Sequence, residues 1–242
     1  RPIRIRSEAL YNKYINKPGD PKTGQGLGKS REAMARYATV VESMDENVGR
    51  LITFLDESGL RGNTIIIFTS DNGHHSMYSR NELLRGAKGQ IYEGGIRVPT
   101  LVSAPGRFKT GRTATPITGL DWFPTFLDLA GIEDFDGTLD GNSLSEFLEG
   151  GSNTSLAQRP LYWHLASQWK HGTCSVIRKD NHKLIQFLKD GRVELYDLTD
   201  DPAEQQNIAA TDASIAKQLL AELTRWRAAN DVPLPPESIL DH

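Results

Sequence analysis

Residues 64–69, Thr-Ile-Ile-Ile-Phe-Thr, form an apolar, β-branched run with no polar alternation inside it. A strand with one wet face alternates polar and apolar side chains. A run without alternation fits a strand buried on both faces, as in a parallel sheet covered by helices. Helices to cover it are legible on both sides. Met34, Tyr37, Val41, Met44, Val48, Leu51 and Leu55 recur at three- and four-residue steps, which predicts one apolar stripe on a long helix. Ser30 can cap its start and Gly59 can end it. Residues 7–17 predict a shorter helix, and the Gly- and Pro-rich residues 18–29 a surface loop. Residues 98–103 (VPTLVS) predict a second buried strand. Residues 120–130 predict a helix with Pro124 tolerated near its start, and 141–149 a short one.

From about residue 160 the texture changes. PLYWHL, TCSVIRK, HKLIQFL and RVELYDL predict short strands, with turn chemistry at Asn181 and Asp190-Gly191. Residues 212–230 predict an amphipathic helix, and PLPPESILDH an extended tail. The expected organisation is therefore an α/β region over 1–150 and a small antiparallel α+β subdomain over 151–242. Two buried strands are too few for a sheet covered on both faces. Further strands are expected from sequence upstream of Arg1-Pro2-Ile3-Arg4-Ile5-Arg6, which has neither an initiator Met nor an apolar leader.

Bulk chemistry narrows the function. A net charge of -3 gives no electrostatic ground for binding nucleic acid or an anionic membrane surface. No apolar run approaches the ~18–20 residues of a membrane helix. Cys174 is the single cysteine, which excludes an internal disulfide and a multi-thiolate zinc site.

The chemistry gathers behind the first strand. In open α/β sheets, ligands bind beyond the carboxyl ends of the strands. Asp71 and Asn72 stand there, an Asp carboxylate and an Asn carbonyl being hard oxygen donors suited to Ca²⁺ or Mg²⁺. Gly73 lets the chain turn sharply after them. By themselves these residues also fit an ordinary Asp-Asn-Gly turn. Downstream comes LLRGAKGQIYEGGIRVP, whose Gly86, Gly89, Gly94 and Gly95 permit close backbone approach. Its Arg85, Lys88 and Arg97 can hold an oxyanion; Arg97 with Glu93 also fits a structural ion pair.

The stretches YATVVESMDENVGRLITFLDESGLRGNTIIIFTSDNG, LLRGAKGQIYEGGIRVPTLVSAPGRFKTG, GLDWFPTFLDLAG and ELYDLTDDPAEQQNIA, in this order, resemble the type I sulfatases of the alkaline phosphatase superfamily. The resemblance runs from about residue 1 to 230. It implies part of an alkaline-phosphatase-like sheet plus a C-terminal antiparallel subdomain. It implies that Asp71 and Asn72 are metal ligands, for Ca²⁺ or alternatively Mg²⁺, and that Lys88 contacts the substrate sulfate as a catalytic residue. The remaining ligands and a formylglycine nucleophile, made from Cys or Ser, would lie upstream. RPIRIRSEALYNKY resembles the family segment that follows a catalytic His.

Two local matches fail. Ser103-Ala104-Pro105-Gly106-Arg107 fits the nucleophile pattern S-x-P-x-R, but Arg112-Thr113 stand where the family has Thr-Gly. Cys174 has Val176 where Pro is required. His74 and His75 depart from the family's commoner Gly or Pro and, with Arg85, fit a substrate pocket; solvated loop histidines fit equally. His164, beside Trp163, fits a sugar contact at the rim or a strand histidine packed between aromatics. His171, His182 and His242 carry no signal.

The expected whole protein is a sulfuric ester hydrolase acting on sulfated carbohydrate, exported to the periplasm, cell exterior or a lysosome. A phosphonate or phosphate ester hydrolase of the same superfamily is the first alternative. A truncated, non-catalytic chain is the second.

Overall fold

The structure is a computed structural model that describes residues 4–5, 7–18, 31–79, 81, 83–152, 154–166 and 172–234. Ser30, most of the Gly/Pro-rich stretch, His171, His242 and residues 235–242 of the tail lie outside the described residues. Two compact units divide the chain, Arg1–Ala104 and Pro105–His242. Residue 150, the boundary expected from the sequence, falls inside the second.

In the first unit, helix α1 (Glu8–Ile15) is capped by Ser7, whose side chain accepts from the Leu10 N–H at 3.3 Å. It lies against α2 (Arg31–Glu57), to which Lys13 is tied through both carboxylate oxygens of Glu42. Gly59, at φ +68°, ends α2 in the left-handed conformation, and the Leu60 N–H returns to the Leu55 carbonyl. The expected stripe is only partly covered. Leu55 is buried, whereas Val41, Met44 and Leu51 are 41%, 44% and 52% exposed. Periodicity reports the helix; what covers each residue is decided by tertiary packing.

Strand β1 (Ile66–Thr69) pairs with β2 (Thr100–Ser103), and the pairing corrects the parallel expectation. The two run antiparallel, with Ile66 opposite Ser103 and Thr69 opposite Thr100. Nor is either strand buried on both faces: β1 is half-buried and Leu101 of β2 is 60% exposed. A two-stranded ribbon has too little surface around it to bury both faces. A short helix, α3 (Glu93–Ile96), leads into β2. The ion pair expected between Arg97 and the buried Glu93 is present at 3.8 Å.

The second unit begins with a 3₁₀ turn (Gly119–Asp121) that feeds α4 (Trp122–Leu129), with Pro124 in the first turn as expected. Short helices α5 (Ser145–Leu148) and α6 (Thr154–Gln158) follow. Then comes an antiparallel meander, β3 (Leu161–Leu165), β4 (Cys174–Lys179), β5 (His182–Phe187) and β6 (Val193–Asp197), in that spatial order. Helix α7 (Ala213–Ala229) covers one face. Its Ala216, Leu219 and Leu223 pack with Ile177, Leu184 and Leu195 of the sheet. Lys183 and Glu204, both fully buried, form an ion pair at 2.9 Å. Among the described residues no helix is long and apolar enough to cross a membrane.

Candidate functional site

The loop after β1 is built by close backbone approach. Gly73 donates its N–H to the Gly95 carbonyl at 2.8 Å. A Cβ on Gly73 would lie 1.9 Å from the Gly94 carbonyl oxygen and 2.7 Å from Gly95 Cα. Space, not a left-handed turn, is therefore why glycine stands at 73. One residue on, the His74 carbonyl accepts the Lys88 N–H at 2.9 Å, and the Arg85 carbonyl accepts the Gly94 N–H at 2.7 Å. Gly86 and Gly89, at φ +86° and +78°, turn the chain on either side of Lys88. Lys88 itself is exposed. These bonds lace residues 71–75 to residues 85–95 within the first unit.

Five of the predicted site residues besides Lys88 are brought into this cluster. Asp71 is exposed and Asn72 half-buried. The Ser70 hydroxyl donates to the Asn72 carbonyl at 2.9 Å and holds the turn. Asn72 Oδ1 is buried and accepts no hydrogen bond among the described residues. A buried acceptor with no donor is costly unless something else satisfies it, and a hard cation does. Asp71 and Asn72 thus fit two places in a Ca²⁺ or Mg²⁺ shell of six or more oxygens. No cluster of three or more His, Cys, Asp or Glu side chains able to hold a metal occurs among the described residues. A full shell at this pair would need further oxygen donors.

His75 faces solvent. Its Nδ1 accepts the Met77 N–H at 3.2 Å and its ring sits 5.1 Å from that of Tyr78. With Nδ1 accepting, the neutral ring carries its proton on Nε2 and presents it as a donor. Arg85 stacks its guanidinium 3.8 Å over the buried Tyr92 ring. His164 belongs to the second unit. It sits on β3 opposite Ser175, with 2.9 Å between Nδ1 and the Ser175 hydroxyl. Burial pushes its pKa down, opposed by the Pro233 backbone and aided by the Arg227 charge.

Both rejected nucleophiles are otherwise engaged. The Ser103 hydroxyl accepts from Arg61 at 2.7 Å. Cys174 is fully buried, and burial pushes its thiol up to about 11, so it stays protonated at neutral pH. Sequence reasoning missed a group on the second unit where Tyr162 and Trp226 stack beside Lys179 and Glu222. Tyr162 and Trp226 stand on different elements far apart in the chain, and no local spacing announces such a pair.

Residues 8–132 match the family model for sulfatases, and residues 87–229 match that for the C-terminal region of N-sulphoglucosamine sulphohydrolase. Among curated proteins, a sulfatase of Formosa agariphila is 31% identical over 228 residues, covering 84% of this chain and 41% of the relative. An N-acetylglucosamine-6-O-sulfatase of Bacteroides thetaiotaomicron is 33% identical over 228 residues, covering 88% of this chain and 39% of the relative. The chain thus spans about two fifths of these relatives' length. A solved structure of a protein in complex with its substrate D-glucosamine-2-N,6-O-disulfate superposes with a TM-score of 0.68 at 29% identity. That match covers 84% of this chain and 42% of the other.

Proposed function

The chain belongs to the sulfatase family, and from that premise we propose that the whole protein hydrolyses sulfate esters of carbohydrates, with this chain supplying part of the metal shell and the sulfate contact. The observation that carries the proposal is the bond from the Lys88 N–H to the His74 carbonyl. It ties the ammonium-bearing turn to the oxygen donors of Asp71 and Asn72, so a cation and a Lys can meet one anionic group. The sugar class is supported by the N-acetylglucosamine-6-O-sulfatase relative and by the disulfated glucosamine bound to the similar structure.

In this proposal Asp71 and Asn72 hold a Ca²⁺, with Mg²⁺ as the alternative ion. The ion when bound supplies Lewis-acid polarisation of a sulfate oxygen. Lys88 orients the sulfate and offsets charge on its oxygens as the S–O bond breaks. His75 and Arg85 border the sugar side. His74 shapes the loop through its carbonyl. The nucleophile this chemistry requires is a formylglycine contributed by sequence outside these residues. The net reaction consumes water and releases the alcohol and sulfate. Export to the periplasm, cell exterior or a lysosome is part of the same proposal, on the strength of the family alone.

The test is sulfate release from glucosamine 6-sulfate by the full-length protein in ¹⁸O-water. The expected result is activity lost on chelation and restored by Ca²⁺, with the label in sulfate. Faster turnover of a phosphonate monoester than of any sulfate ester, or no sulfate release, would overturn the proposal.

A further inference from the structure

The second unit carries a cavity of about 510 Å³ at the edge of the meander, lined by Tyr162, Lys179, Glu222, Arg225, Trp226 and Asn230, among others. Its volume lies within the ~300–1,000 Å³ typical of small-ligand sites. Tyr162 of β3 and Trp226 of α7 form one wall, their rings parallel to within 2° with centroids 4.7 Å apart. Both are only half-buried. A stacked aromatic pair half open to water is a surface for an apolar ring face with polar edges.

The polar groups around this wall are not equivalent. Glu222 is satisfied: Lys179 reaches both its oxygens, at 3.0 and 2.9 Å, and the Tyr162 hydroxyl donates to it at 3.3 Å. Its charge is thereby offset and does not repel an anion. Arg225, exposed on the same helix, makes no hydrogen bond or ion pair among the described residues. The lining thus carries one uncompensated positive charge. Asn230 spends its amide on the Trp226 carbonyl at 2.8 Å, which leaves its Oδ1 as an acceptor for a hydroxyl. Ring wall, single cation and hydroxyl acceptor match one class of small ligand.

We propose that this cavity of the second unit is a carbohydrate site in its own right, one that takes a sugar ring bearing one anionic group. The ring lies against the Tyr162–Trp226 wall, Arg225 pairs with the anion, and Asn230 accepts from a ring hydroxyl. Sulfate and carboxylate share the required chemistry. The site needs no metal and performs no covalent step.

The proposal is tested on the Lys88→Ala full chain, labelled with ¹⁵N, so that the sulfate contact of the first unit is absent. The indole N–H signal of Trp226, identified by its loss in Trp226→Phe, is followed against three disaccharides: one sulfated, one with a uronic acid, one neutral. The expected result is a saturable shift with at least one acidic sugar, about tenfold tighter than with the neutral one. Which acidic sugar binds tells sulfate from carboxylate. Arg225→Gln, an exposed change that leaves the fold intact, should abolish the preference for acid, and Asn230→Ala should weaken all binding. The proposal is overturned if no sugar shifts the Trp226 signal at millimolar concentration, or if Arg225→Gln leaves the acid preference unchanged. Neither outcome depends on whether the protein hydrolyses sulfate.

Discussion

The Lys88 amide and the His74 carbonyl are joined at 2.9 Å, so a backbone bond anchors the turn carrying the ammonium to the loop carrying Asp71 and Asn72. The side chain of Lys88 takes no part in this bond. Lys88→Ala should therefore keep this backbone bond while removing a charged contact to sulfate. The expected loss in kcat/KM for the sulfate ester is at least ~2 kcal/mol, about thirtyfold. Steady-state kinetics of the full-length variant, with its melting temperature measured alongside, check it. An unchanged kcat/KM would remove Lys88 from the site.

Gly73 and Gly49 respond in opposite ways to an added methyl. A methyl at Gly73 meets the Gly94 carbonyl oxygen at 1.9 Å, a backbone atom that cannot swing away. Gly73→Ala should cost at least ~1–3 kcal/mol, the range for overpacking, and should lower activity with it. Gly49 lies within α2 with nothing inside 4 Å of the added methyl. Gly49→Ala should instead stabilise by about 0.5–1 kcal/mol. Urea denaturation of the pair separates steric exclusion from helix propensity.

Much of this architecture is legible in the sequence because it is local. Three- and four-residue steps report α2 and α7, and turn residues such as Asn181 and Gly191 separate the strands of the meander. The order of motifs points to residues 71–72 and 88 together. What is hidden is tertiary. The run TIIIFT does not say which strand it pairs with or in which direction, and its antiparallel partner β2 was not predictable from periodicity. Gly73 looks like a turn glycine, yet its reason is the neighbouring backbone. The stripe on α2 predicts its helix well and its burial poorly, since Leu55 alone of those residues is buried.

A second hidden relationship is the fork between Arg159 and Asp121. The guanidinium meets the carboxylate at 2.6 Å from Nη1 to Oδ1 and 2.5 Å from Nη2 to Oδ2. Asp121 is fully buried and also accepts from the Thr118 and Asn142 N–H groups. It thereby ties α4 to the segments on either side. Arg159→Met leaves a buried carboxylate without its counter-charge, which should cost about 3–5 kcal/mol. Arg159→Lys should recover only part, because an ammonium cannot form the two-pronged contact. Adding Asp121→Asn to Arg159→Met should restore stability relative to Arg159→Met alone. Midpoints of denaturant unfolding for the three variants check the order.

His164 gives the pH dependence its sign. Burial disfavours the imidazolium, so the folded-state pKa lies below the ordinary 6.5. On acidification the unfolded chain takes up this proton first, and unfolding then draws in a proton. The contribution is fully present above pH ~6.5, and it is lost as pH falls through the depressed folded value. His164→Gln keeps a side chain able to meet the Ser175 hydroxyl and does not titrate. Melting temperatures of the two proteins should therefore run parallel above pH ~7 and converge below pH ~6, because only the wild type loses this term on acidification. Parallel curves across the whole range would mean that His164 is as easily protonated folded as unfolded. The cost of burying its ring would then be borne by packing alone.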